Sequence, residues 1–172
     1  MASLMENLID VLTKECSEYE ELLELSQKKT PIIIRGDLEQ LQQITDEEQV
    51  VVSRIGNLEK KRVEVTADIA NVLNRDVTIL KLSNLIEMFS ARPEEQKILS
   101  EIHDRLQQAV NNLKKINEQN EQLIKNALEM VEFEMNLLQA TRTAPATANY
   151  NKGAYNAGDT MGVISGGFDA KQ

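Results

Sequence analysis

The chain has 172 residues and a formal net charge of −9, with 41% apolar residues, 3% aromatic residues and no tryptophan. That length is one domain's worth, and an apolar fraction so poor in aromatics predicts an aliphatic core of the kind helical bundles use. The acidic balance argues against a nucleic-acid surface and against insertion at an anionic membrane, since both need concentrated Lys and Arg.

The spacing predicts a first helix from Leu4 to Lys29. Its apolar side carries Leu4, Leu8, Leu12, Cys16, Tyr19 and Leu23. Glu15, Glu18, Glu20 and Glu21 come early, and Lys28 and Lys29 come late, where they complement the helix dipole. Cys16 is the single cysteine, so no internal disulfide can form, and it reads as a small buried hydrophobe in a reducing compartment. No basic n-region or continuous apolar run marks a signal peptide, and no stretch reaches the roughly 18 apolar residues a membrane span needs. The expected location is cytoplasmic.

Pro31 then removes a backbone donor. The triplet Ile32-Ile33-Ile34 has no second strand candidate to pair with, so it is expected to add one helical turn beyond the proline. Gly36 suits the left-handed position after a helix, and Asp37 with Gln40 makes a capping box. Arg35-Gly36-Asp37 also spells an integrin-binding tripeptide, which the stop-and-start of two helices explains without an extracellular role.

The second helix should run from Leu38 to Leu73, about 54 Å. Its seam spaces Leu41, Ile44, Glu48, Val51, Ile55, Leu58, Arg62, Val65, Ile69 and Val72 in a 3-4-3-4 pattern. A 3.5-residue repeat sustained over four heptads predicts long helices packed side by side. The charged seam positions Glu48 and Arg62 are read as points where the partner helix ends or water enters, with buried register-fixing residues as the alternative. Gly56 weakens this helix by about 1 kcal/mol relative to Ala.

A short third helix, Thr78 to Ser90, is expected to cap one end of the bundle. The fourth opens at Pro93 with Glu94 and Glu95 and continues to about Ala140, some 70 Å. Its seam is Leu99, Ile102, Leu106, Ala109, Leu113, Ile116, Asn120, Leu123, Ala127 and Met130. Its C-terminal half carries two adjacent stripes. One is Leu123, Ala127, Met130 and Leu137; the other is Ile124, Leu128, Val131, Met135 and Leu138. One stripe can face the bundle and leave the other free for a partner, unless a homo-oligomer covers it.

The expected fold is therefore all-α: an elongated antiparallel bundle of three long helices and one short helix over residues 1–140, with a flexible tail over 141–172. The tail holds five of the seven glycines and three of the six aromatics, Tyr150, Tyr155 and Phe168. It also carries a net +1, which leaves −10 on residues 1–140. Lacking periodicity, it should not bury enough surface to offset its ordering entropy. Spaced aromatics on such a segment make it a candidate docking peptide.

Chemistry-bearing sets are missing. There is one histidine, His103, and one cysteine, so no nucleophile–base pair and no metal-ligand set assembles. No glycine-rich phosphate loop precedes a helix. The expectation is no enzyme, with no catalytic, metal or cofactor-binding residues.

The most specific stretch is Ile116-Asn117-Glu118-Gln119-Asn120-Glu121-Gln122-Leu123-Ile124, where two asparagines three apart interrupt an aliphatic seam. Here the chain resembles the FlgN-type flagellar export chaperones, whose last long helix carries an apolar–Asn–x–x–Asn–x–x–Leu–apolar stretch. Glu18-Tyr19-Glu20-Glu21-Leu22-Leu23 is similar to the family's opening helix, and Leu58-Glu59-Lys60-Lys61-Arg62 to its second. In the tail, Tyr150 precedes Gly153 where the family carries Tyr–x–x–x–Gly, so the glycine comes one residue early. The resemblance implies a long-helix bundle that holds hook-associated (hook–filament junction) proteins before secretion and delivers them to the cytosolic part of the export gate.

The candidate client groove is Ile116, Asn117, Asn120, Leu123, Ile124, Ala127, Leu128, Met130, Val131, Met135 and Leu138. It pairs a doubled apolar surface with the adaptable Met130 and Met135. Tyr150, with Phe168 as a second candidate, would dock at the export gate. The competing reading is a structural coiled-coil or bundle protein without an exported client, which should bury all of its apolar stripe.

Overall fold

The computed structural model describes residues 2–76, 82–88 and 92–143. They form α1 (Ala2–Arg35), α2 (Leu38–Leu73), α3 (Leu82–Met88) and α4 (Pro93–Thr143), with no strand among the described residues. The all-α architecture of three long helices and one short one is thus the observed one. The chain divides into two units, Met1–Glu132 and Phe133–Gln172. The first is the bundle, and residues 133–143 are the described part of the second.

α1 continues through Pro31 to Arg35. The isoleucine triplet is helical, as its lack of a strand partner implied, and Ile32 and Ile33 are buried. The helix ends in a Schellman turn. Gly36, at φ +67, donates its N–H to the Ile33 carbonyl at 3.0 Å, and Asp37 N–H donates to the Ile32 carbonyl at 3.3 Å. Asp37 also opens α2, its Oδ1 accepting from the Gln40 backbone N–H at 3.0 Å. Only half of the capping box forms, because Gln40 Oε1 accepts from Arg35 Nη2 at 3.2 Å instead of turning back to Asp37. The tripeptide Arg35-Gly36-Asp37 therefore lies at the helix–helix turn.

That turn makes α2 antiparallel to α1. Partner numbers fall as α1 rises: Glu15 pairs with Arg62, Glu18 with Arg54, and Lys29 with Glu48. α4 runs parallel to α1, since Arg105 meets Glu20 while Asn120 meets Ser26 and Thr30. Two apolar clusters fill the bundle. Met5, Leu8, Leu12, Ile69, Ala70, Leu85, Leu99 and Ile102 form one, which α3 closes through Leu85. Leu22, Leu25, Ile32, Ile44, Val51, Ile55 and Leu113 form the other, toward the α1–α2 turn. A fully buried leucine such as Leu12 contributes about 1.5–3 kcal/mol.

The α2 seam is buried or half-buried as spaced, except at its end. Val72 is exposed and Leu73 packs against the core instead. A straight α-helix drifts about 20° per heptad against a 3.5 repeat, so four heptads from Ile44 rotate the inward face by nearly one residue. Both charged seam positions have a partner on α1. Arg62 Nε lies 3.2 Å from Glu15 Oε2, and Glu48 accepts from Lys29 Nζ at 2.7 Å and Ser26 Oγ at 3.0 Å. Each is a polar layer tying α2 to α1 at one register. Glu15 is 1% exposed. Burial pushes its carboxyl above the usual glutamate range, against the pull of Arg62, and Glu59 adds to the rise.

Candidate functional site

The α4 seam packs inward from Leu99 to Asn120 and then loses its cover. Leu99, Ile102, Ala109, Leu113 and Asn120 are buried, Leu123 is half-buried, and every residue from Lys125 to Arg142 is exposed. The geometry of the hairpin explains the change. Thr30 of α1 stands beside Asn120, and α1 has only five residues left before it ends at Arg35. At 1.5 Å per residue they accompany α4 for about 7.5 Å, to about position 125.

Asn120 is the last polar layer. It is 4% exposed, its Nδ2 donates to the Ser26 carbonyl at 2.9 Å, and its Oδ1 accepts from Thr30 Oγ1 at 2.7 Å. An asparagine at a seam costs stability unless its amide is satisfied, and here both ends are. Its neighbour Asn117 is exposed and carries no such role. The two asparagines of the motif thus do different things: Asn120 is committed to α1, while Asn117 faces outward at the rim of a cleft.

That cleft lies between α1, α2 and α4 and encloses about 380 Å³. Leu22, Val52 and Ile124 supply its apolar surface, and Ser26, Lys29, Glu48, Asn117, Asn120 and Glu121 its polar one. Beyond it within the first unit, Leu128 is 65%, Met130 65% and Val131 52% exposed. In the second unit Phe133, Met135, Leu137 and Leu138 are likewise more than half exposed.

The eleven candidate groove residues therefore fall into three sets. Asn120 lies inside the bundle; Ile116, Leu123 and Ile124 are half-buried; Asn117, Ala127, Leu128, Met130, Val131, Met135 and Leu138 are exposed on α4. Tyr150 and Phe168 lie outside the described residues. Sequence reasoning missed Phe133, whose 3-4 spacing between Met130 and Leu137 was a usable signal. It also missed Leu22 and Val52, which reach the cleft from other helices and which only tertiary contact reveals. His103 is part-exposed beside Asp104, Nδ1 to Oδ1 3.2 Å. Among the described residues no group of three His, Cys, Asp or Glu could hold a metal ion. No described helix is long and apolar enough to cross a membrane.

Comparison with known proteins agrees with the motif-bearing helix. The model of the FlgN protein family matches residues 1–157. The chain belongs to the FlgN family. Membership supports a role as a flagellar export chaperone, and the match spans the bundle, the asparagine stretch on α4 and the Tyr150–Gly153 element. A Bacillus subtilis (strain 168) protein, described as uncharacterized protein YvyG, is 28% identical over 144 residues, which is 84% of this chain and 83% of that protein. No solved structure matches.

Proposed function

We propose that this FlgN-family chain is a cytoplasmic chaperone of flagellar type III secretion. It holds the amphipathic terminal helices of hook-associated proteins on the exposed face of α4, prevents their premature assembly, and passes them to the cytosolic part of the export gate. It performs no catalysis. The observation that supports this reading is the run of large apolar side chains, Leu128 to Leu138, left more than half exposed on a helix whose earlier turns are packed. A contiguous exposed apolar run marks an interaction surface, and an amphipathic client helix docks on such a stripe by its own apolar face. Met130 and Met135 adapt to more than one client surface. A structural bundle without a client would bury this stripe.

The test replaces Val131 and Leu138 by Asp in the full chain and measures binding of a purified hook-associated protein. Loss of binding with unchanged helicity is expected; unchanged affinity in the folded variant refutes the assignment. For delivery, Tyr150→Ala should leave client affinity intact and weaken binding to the gate's cytosolic domain by about 1–3 kcal/mol, as removal of an aromatic hot spot does. Intact gate binding, or a fall in client affinity instead, refutes that role.

A further inference from the structure

We infer that the cleft between α1, α2 and α4 is the polar end of the client surface and receives one cationic side chain from the helix that lies along α4. The inference rests on the client reading above and adds what the client must carry.

Asn117, Glu121, Ile124, Leu128 and Val131 are spaced 4-3-4-3 and so lie on one face of α4. The face is apolar at its last three positions and polar at its first two, which line the cleft. Within the cleft, Lys29 is consumed by Glu48 at 2.7 Å, and the other Glu48 oxygen accepts from Ser26 Oγ. Both Asn120 amide groups are engaged by α1. Asn117 and Glu121 have no hydrogen-bond or ion-pair partner among the described residues. The one uncompensated charge lining the cleft is therefore the Glu121 carboxylate.

A helix is about 10–12 Å across with its side chains, too wide to enter 380 Å³, but a single long side chain fits. Leu22, Val52 and Ile124 offer apolar surface to an aliphatic stem, while Glu121 and the Asn117 carbonyl oxygen accept from its head. Lys and Arg have that construction. The occupant is thus an amphipathic helix with apolar residues at 3-4 spacing and a Lys or Arg beyond one end of them. A second copy of this chain fits less well, because residues 121–132 of α4 carry Glu121, Glu129 and Glu132 against Lys125 alone, and like charges would face each other.

The test uses the full chain and a purified hook-associated protein, with affinity measured by titration calorimetry at two salt concentrations. Glu121→Lys should weaken binding about tenfold, and Glu121→Gln about three- to fivefold with a shallower salt dependence. Glu118→Lys makes the same change in net charge outside the cleft and should stay within about twofold. Equal losses for Glu121→Lys and Glu118→Lys would mean general electrostatics and overturn the inference. If Val131→Asp abolishes binding while Glu121→Lys leaves it intact, the client surface stands and the cleft's role falls. If neither matters, or no hook-associated protein binds, both fall. A change in the free chain's oligomeric state with Glu121→Lys, seen by sedimentation, would assign the face to a second copy and also overturn it.

Discussion

Replacing Asn120 by Ala separates the two asparagines of the family motif. Asn120 makes two hydrogen bonds to α1 at 2.7 and 2.9 Å from a site only 4% exposed. Each such bond contributes about 0.5–1.5 kcal/mol net. No strong orphan is left, because the Thr30 hydroxyl also lies 3.4 Å from the Ser26 carbonyl and keeps that acceptor. The expected loss is therefore about 2 kcal/mol. With a urea m-value of about 2 kcal/mol/M, the midpoint should fall by about 1 M at unchanged slope. Asn117→Ala, at an exposed position with no bond to lose, should stay within about 0.5 kcal/mol. Urea unfolding followed by circular dichroism measures both. Equal losses for the two variants, or an unshifted midpoint for Asn120→Ala, would refute the assignment of Asn120 to the α1–α4 contact.

Three further substitutions probe the bundle. Glu15 is buried with its carboxyl raised above the ordinary value of 4.5, chiefly by desolvation. The folded chain thus holds that proton more tightly than the unfolded one, and this contribution is full below pH 4.5 and lost as pH rises through the folded value. Glu15→Gln should flatten that dependence and stay within about 1 kcal/mol of the parent at pH 7, whereas Arg62→Ala, which strands the buried carboxylate, should cost about 1–3 kcal/mol there; urea midpoints across pH 4 to 8 decide it. Gly56→Ala should stabilise by about 0.5–1 kcal/mol, since a methyl there meets nothing within 4 Å and the position is inside α2; a lower thermal midpoint would show that the site is not free.

Periodicity carried most of the fold because burial in a bundle repeats along each helix. The seams of α2 and α4, the turn at Gly36-Asp37, and the helical state of Ile32 to Ile34 were all legible from spacing and turn chemistry. What spacing cannot carry is which charge meets which across helices. Glu48 and Arg62 read as points where the partner helix ends or water enters until Lys29 and Glu15 are placed opposite them. The end of the α2 seam slipped from Val72 to Leu73 because a straight helix accumulates rotation against a 3.5 repeat. On α4 the two stripes were visible, but where the packed one loses cover depends on where α1 stops. Seam spacing already set Asn120 inward and left Asn117 off the seam, but only the structure shows that the Thr30 hydroxyl and the Ser26 carbonyl satisfy the Asn120 amide.

Amide hydrogen exchange on the full chain, free and loaded with a hook-associated protein, tests the central claim most directly. In the free chain the turns of α4 beyond Ile124 have no packed face among the described residues and should exchange faster than those from Leu99 to Asn120. On loading, protection should rise across residues 124–138, with little change in α1 and α2 away from the cleft. Protection that appears only on the α1–α2 hairpin, with 124–138 unaltered, would contradict the account.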